Sequence, residues 1–274
     1  MINTQTTKPF LKWPGGKYRL TNRINKKLAT GKRLVEPFVG SGAVFLNSNF
    51  KKYLLADTNR DLINLYQHLQ SEGLDFIEYC KTFFTNKHNN EKQYYKFREE
   101  FNISKDSRLK SALFLYLNRH GYNGLCRYNA KGGFNTPFGR YHRPYFPKNE
   151  MMNFHQRSQH AEFICAGFSE TMHQITKHDV VYCDPPYVPL SKTANFTAYA
   201  AARFNWEDQI SLADWASKLS AKGIQVVISN HNTPTARELY LEAGATMENF
   251  KVRRTISCNT DQRNLIGELL AVFG

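Results

Sequence analysis

Short apolar runs with strand character recur on both sides of a long middle section that has none. Leu34-Val35, Tyr53–Asp57, Phe163–Cys165, Val180–Cys183 and Gln225–Ile228 each read as a short, largely buried strand. Helical patterns separate them: AVFLN after Gly42, a face of Leu62, Leu65, Tyr66 and Leu69, and Leu212, Trp215 and Leu219 behind Asn205 and Asp208. Thr58 is the expected cap of the second of these helices, with Asp61 three residues on. Strand and helix in alternation dictate a parallel α/β sheet. From about Asn64 to Lys148 the strand signals vanish, while Leu109, Ala112, Leu113, Tyr116 and Leu117 recur at helical spacing up to Gly121. The expected architecture is one α/β domain built from residues 1–63 and 149–274, carrying a mainly helical insert at 64–148. A chain of 274 residues suits one domain with one insertion.

Charge is the second constraint. With 37 Lys+Arg against 23 Asp+Glu the net charge is 37 − 23 = +14, which makes polyanions plausible partners. Its distribution says more. Between Ser107 and Asn149 there is no acid, where about three or four would be expected. The same stretch holds Arg108, Lys110, Arg119, Arg127, Lys131, Arg140, Arg143 and Lys148. Tyr122, Tyr128, Phe134, Phe138, Tyr141, Tyr145 and Phe146 are interleaved, and glycines and prolines break any long helix there. Basic residues alternating with stacking side chains suit a phosphate backbone and exposed bases.

Several classes drop out. No apolar run approaches the ~18 residues of a membrane span, and MINTQTTKPF lacks the charged-then-apolar build of a secretory signal. The five cysteines form no CxxC pair and have no metal-ligand spacing, so reduced thiols in a cytoplasmic protein are expected, with no metal. Gly15-Gly16-Lys17 resembles a phosphate-loop fragment without its first glycine or trailing hydroxyl, which disfavours ATP.

Two places carry chemistry. Phe38-x-Gly40-x-Gly42 lies between a strand and a helix, where glycine lets backbone approach a ligand closely. The third glycine of G-x-G-x-x-G is missing, which disfavours a nicotinamide cofactor. Asp57, at the end of the next strand, is placed for ribose hydroxyls or simply for the helix N-terminus behind it. Asp184-Pro185-Pro186-Tyr187 directly follows Val180–Cys183, where ligands bind in open α/β sheets. A carboxylate and a carbonyl can accept both N–H bonds of an exocyclic amine, and an aromatic ring can stack on a planar base.

With these residues in view, FLKWPGGK (Phe10–Lys17), EPFVGSG (Glu36–Gly42), LNRHGYNGLCRYN (Leu117–Asn129), FNTPFGRY (Phe134–Tyr141), DPPYVPLSKTANFTAY (Asp184–Tyr199) and SNHNT (Ser229–Thr233) resemble the Dam-type DNA adenine-N6 methyltransferases. The order, cofactor motif then recognition insert then DPPY, is similar to the alpha group of amino-methyltransferases. Pro14 stands where that family more often has alanine, and Thr260-Asp261-Gln262 replaces a more glycine- and lysine-rich stretch.

The resemblance implies a Rossmann-like methyltransferase sheet and an S-adenosyl-L-methionine-dependent enzyme that methylates adenine in GATC within double-stranded DNA. It implies catalytic roles for Asp184, Pro185 and Tyr187. Trp13, Lys17, Asp57, Asp184 and Phe168 become cofactor contacts, beside the turn of Phe38, Gly40 and Gly42. Arg127 resembles a guanine-reading arginine, and Leu125 and Pro137 resemble contacts to a thymine methyl. Tyr122 resembles the residue inserted into the base stack, with Asn123 its neighbour. Lys12, Arg98, Asn135, Arg140 and Tyr141 match further DNA-facing positions. A monomer in a bacterial or phage-infected cytoplasm, associated with the nucleoid, is the expected form.

Two rivals remain open. One is a methyltransferase acting on cytosine N4, an RNA adenine or a protein amide; Asp184, where such enzymes favour Ser or Asn, counts against the first and the last. The other is a DNA-binding protein with a dead cofactor pocket, which intact Gly40, Gly42, Asp57 and Asp184 disfavour.

Overall fold

The computed structural model describes residues 6–187, 204–253 and 265–274. The chain divides into two compact units, one of residues 1–21, 39–48 and 57–165, the other of 22–38, 49–56 and 166–274.

A five-residue helix α1 (Thr21–Asn25) precedes β1 (Arg33–Glu36), α2 (Ala43–Asn47) and β2 (Lys52–Asp57). The first unit then runs through α3 (Arg60–Glu72), α4 (Leu74–Lys81), α5 (Glu91–Ile103), α6 (Ser107–His120), α7 (Lys148–Ser158) and the strand β3 (Ala161–Cys165). The face of Leu62, Leu65, Tyr66 and Leu69 on α3 is fully buried, as its spacing predicts. The cap differs from expectation: Asn59, not Thr58, accepts the Leu62 amide at 3.2 Å. Asp57 Oδ1 takes the Asn59 amide at 2.9 Å, so the chain turns one residue further before the helix starts. The core here is aromatic. Tyr66 and Phe154 lie 4.6 Å apart by ring centroid, with Phe10, Phe45 and Phe163 packed around Phe154, mostly edge-on. On α6, Ser111 to Asn118 are all buried, and Asp106 caps the helix through the Arg108 and Leu109 amides.

The second unit is the sheet. Its strands β4 (Asp179–Cys183), β5 (Val226–His231), β6 (Thr246–Arg253) and β7 (Leu265–Phe273) join β1 and β2 in the order β2-β1-β4-β5-β7-β6. The first four are parallel, in register Leu34↔Tyr53, Leu34↔Val180 and Val181↔Val226. Every residue of β4 is buried, which fits the unbroken apolar run of a strand covered on both faces. α8 (Phe168–Met172) and the helices Trp206–Ser220 and Pro234–Glu242 also belong to the unit among the described residues. The last two strands were not legible as such: β7 enters antiparallel beside β5, pairing Ile228 with Ala271, and β6 closes the edge through Asn249↔Leu269. The described part is therefore a mixed α/β fold rather than a purely parallel one.

Candidate active site and nucleic-acid interface

In the first unit, the glycine turn after β1 is held from three directions. Gly40 and Gly42 sit at φ +46° and +70°, and the Gly42 amide closes the turn onto the Val39 carbonyl at 2.8 Å. A Cβ on Gly40 would stand 2.8 Å from Trp13 Nε1, so Trp13 lies directly on the turn. Tyr66 Oη donates to the Gly40 carbonyl at 2.5 Å, and Asp57 Oδ2 accepts the Gly40 amide at 3.2 Å. Burial pushes the Asp57 carboxyl up, opposed by the amides of Asn59, Gly40 and Thr58. Those bonds use part of the acceptor capacity of its two oxygens, which have about four lone-pair sites. Lys17, 6% exposed, folds back to donate to the Gly15 carbonyl at 2.7 Å.

In the second unit, Phe38, which starts that turn, stacks on Phe168 at 5.8 Å and 22°, and Phe204 closes on both at 5.4 and 5.6 Å. Asp184 follows β4 directly and is half-buried; Pro185 is buried and Pro186 exposed. The Tyr187 ring meets His231, on the neighbouring β5, edge-on at 4.6 Å. Burial, and then the Asp184 charge, pushes the Tyr187 phenol well up, so it stays a neutral hydroxyl. Behind it, Tyr182 and Ser229 share a buried hydrogen bond of 2.7 Å.

Every residue named as DNA-facing belongs to the first unit. There the basic segment is a folded two-legged loop, joined by bridges Gly121↔Phe138 and Tyr128↔Phe134. The Tyr122 amide bonds the Pro137 carbonyl at 2.9 Å, and the Tyr122 ring is 47% exposed. Asn123 takes the left-handed conformation at φ +53°, its amide on Tyr141 Oη at 2.9 Å. Lys12 Nζ lies 3.9 Å over the Tyr141 ring. Arg127 and Asn135 are directly bonded, Pro137 is exposed and Leu125 half-exposed. Arg98 reaches the Thr136 carbonyl at 3.2 Å, while Arg140, at φ +54°, stands 3.9 Å from Glu91. The stretch Thr260–Gln262 lies outside the described residues.

Two buried residues that hold this loop escaped the sequence reading. Asn118 accepts the Lys12 amide at 2.9 Å and donates to the carbonyls of Lys12 and Gly124 at 2.8 and 3.1 Å. Thr136 Oγ1 donates to the Leu125 carbonyl at 2.9 Å and accepts the Arg127 amide at 3.3 Å. An asparagine inside the apolar stripe of α6 was the available signal.

The acid-free segment draws acids from elsewhere: Arg108 to Glu72, Lys110 to Asp61, Lys148 to Glu78 and, loosely, Arg140 to Glu91. Among the described residues no metal-binding group of His, Cys, Asp and Glu occurs, and no helix is long and apolar enough to cross a membrane.

Residues 13–256 match the D12 class of N6 adenine-specific DNA methyltransferases. The chain belongs to that family. It is 51% identical over 265 residues to the DNA adenine methylase of Vibrio cholerae, covering 96% of this chain and 95% of that protein. The DNA adenine methylases of Serratia marcescens and Escherichia coli K12 are 50% and 49% identical, each over 96% of this chain and over 97% and 94% of their own lengths. A precorrin-6y C5,15-methyltransferase structure from Geobacter metallireducens superposes with a TM-score of 0.37 at 8% identity, over 94% of this chain and 87% of that one, a likeness that supports no inference.

Proposed function

We propose that this chain transfers the methyl group of S-adenosyl-L-methionine to adenine N6 in duplex DNA, with GATC as its site. The observation that carries the reading is Asp184, half-buried at the end of the fully buried strand β4, followed by the rigid Pro185-Pro186 pair and Tyr187. Residues 64–148 supply target recognition, and one chain in the cytoplasm, on the nucleoid, suffices for one site.

The donor set fits a nucleoside cofactor. In the first unit Asp57 keeps acceptor capacity for a ribose diol and Trp13 lies on the glycine turn, with Lys17 as a further cofactor contact; in the second, Phe38 and Phe168 present aromatic rings suited to an adenine. When bound, that cofactor supplies an electrophilic methyl on a sulfonium.

The substrate adenine must leave the stack, at a cost of a few kcal/mol. Tyr122 inserted in the gap and Tyr187 stacked on the extruded base offset this, at about 1–3 kcal/mol per stacked base. The N6 lone pair is delocalised into the ring, so the amine is a poor nucleophile. Asp184 and the Pro185 carbonyl accept its two N–H bonds and draw it toward tetrahedral geometry. Asp184 then stabilises positive charge as it grows on nitrogen, one N6 proton leaving to solvent once the N–CH₃ bond has formed, and positioning supplies much of the remaining rate.

The test is to incubate GATC duplex with the protein and labelled cofactor, and then challenge it with methylation-dependent and methylation-blocked nucleases. Wild type should methylate GATC, and Asp184→Ala should retain duplex binding without turnover. Substantial turnover by Asp184→Ala would sink the mechanism.

A further inference from the structure

Asp184-Pro185-Pro186 has an anchoring problem. Neither proline has an N–H, so no backbone donor from these two residues can tie the turn to the sheet. For the two prolines themselves, what remains is packing and their carbonyls. The Pro186 carbonyl belongs to the same planar peptide as the Tyr187 nitrogen, so whatever holds it also sets the bond from which the Tyr187 ring projects.

It is held by Gln209, on the Trp206–Ser220 helix, whose Nε2 donates to the Pro186 carbonyl at 2.8 Å. Gln209 is 3% exposed, and the polar groups behind it leave its amide one orientation. Its Oε1 accepts from Asn230 Nδ2 at 3.2 Å and from Tyr240 Oη at 3.1 Å. Asn230 Nδ2 also donates to Tyr240 Oη at 2.9 Å, and both residues are fully buried. A flipped amide would set its N–H₂ against the Asn230 N–H₂ and its oxygen against the Pro186 carbonyl, leaving buried groups unpaired at about 1–3 kcal/mol each. Asn230 Oδ1 meanwhile accepts the His231 amide at 2.8 Å, and His231 is the ring against Tyr187. One buried cluster thus grips both flanks of Tyr187: the peptide before it and the residue packed beside it.

We propose that Gln209, oriented by Asn230 and Tyr240, is a positioning residue for methyl transfer, setting the Pro186 peptide and with it the Pro185 carbonyl and the Tyr187 ring. This rests on the reading of the DPPY segment given above. Gln209 touches neither substrate nor cofactor in this role. Its donor fixes where the amine acceptor and the stacking ring stand.

The experiment compares single-turnover methyl transfer on GATC duplex with dissociation constants for duplex and cofactor, in wild type, Asp184→Ala, Gln209→Leu, Gln209→Glu and Tyr240→Phe. Gln209→Leu removes the donor and should slow transfer by at least about tenfold, with both dissociation constants within about threefold of wild type. Tyr240→Phe leaves Asn230 to orient Gln209 and should lose about threefold. Gln209→Glu keeps volume and acceptor but faces a carboxylate to a carbonyl; once protonated it regains a donor. A buried carboxyl in that place titrates above the usual carboxylate range. Its rate relative to wild type should therefore climb as pH falls from about 8 to about 6. Tyr240, the titratable group bonded to it, is pushed up by burial and stays neutral across that range. Wild-type methylation of adenine, lost in Asp184→Ala, carries the underlying reading, and its failure sinks both. If those controls hold while Gln209→Leu transfers methyl at the wild-type rate, or while the Gln209→Glu to wild-type ratio stays flat with pH, this inference alone is overturned. Should Gln209→Leu fail to fold, the pH profile of Gln209→Glu decides.

Discussion

Arg127 grips Asn135 with two donors: Nε reaches the side-chain Oδ1 at 2.7 Å and Nη2 the backbone carbonyl at 3.0 Å. The Asn135 amide returns the contact on the Arg127 carbonyl at 2.9 Å. The loop carries no acid that competes for this guanidinium, so its orientation is set by a neutral partner. An arginine so aimed can fork onto guanine O6 and N7, worth about 1–3 kcal/mol of discrimination. Arg127→Ala should lose roughly ten- to hundredfold discrimination at one guanine, and Asn135→Ala a part of it. Lys131→Ala should weaken all sites about equally. Methylation rates on GATC and every single-base variant measure this; an unchanged ranking in Arg127→Ala would make it a backbone clamp.

Salt dependence counts the phosphate contacts. Four of the eight basic residues between Ser107 and Asn149 have acidic partners, which leaves 8 − 4 = 4 without an ion pair among the described residues. With Arg127 assigned to a base edge and the loosely held, DNA-facing Arg140 returned to the count, about four phosphates are neutralised and log K should fall with log salt at a slope of roughly −3.5, rather than the −4.5 to −7 that five to eight contacts would give. Duplex binding titrated across salt concentrations tests it, and a slope shallower than about −2 would mean the segment is mostly solvated surface.

Gly124 and Gly132 separate backbone strain from close approach. Both have positive φ, +65° and +79°. A Cβ on Gly124 would stand 2.3 Å from Lys12 Cβ, whereas one on Gly132 meets nothing within 4 Å. Gly132→Ala should cost about 1–2 kcal/mol from the left-handed conformation alone. Gly124→Ala adds an overlap worth about 1–3 kcal/mol and displaces Lys12, so duplex affinity should fall as well. Thermal melting and duplex titration of the two variants distinguish the cases.

Asp179, at the foot of β4, controls acid stability in the second unit. Burial alone would push its carboxyl up, but the Arg33 guanidinium at 2.7 and 3.0 Å and the Thr176 amide and hydroxyl hold it below the ordinary value. Its stabilisation is therefore complete above the unfolded value near pH 4 and is lost as pH falls through the lower folded value. Asp179→Asn should cost about 2–4 kcal/mol at pH 7, since Arg33 keeps some solvent contact. The gap from wild type should narrow in denaturant unfolding as pH falls below the ordinary carboxylate range and through the lowered folded value.

The strands β1, β2, β4 and β5, the buried face of α3 and the stop of α6 at Gly121 were all legible, because runs of apolar residues and i, i+3, i+4 spacing are local signals. The glycine turn and Asp184-Pro185-Pro186-Tyr187 were legible for the same reason. The cap at Asn59 was misplaced by one residue, since Thr58 and Asn59 are both good caps and only the Asp57 side chain chooses between them. The antiparallel entry of β7 was not legible, since pairing direction is no property of a single strand.

By itself the sequence determined which segments become strands and helices, and which chemistry-bearing residues stand at their ends. Tertiary structure decided what each charge and amide faces. Arg108 finds Glu72, Lys110 finds Asp61, Asn118 bonds Lys12 across 106 residues and Gln209 anchors Pro186. Such partners are selected by burial: a polar group taken from water must be paired by whatever the packing brings beside it, and packing joins positions that no local period connects.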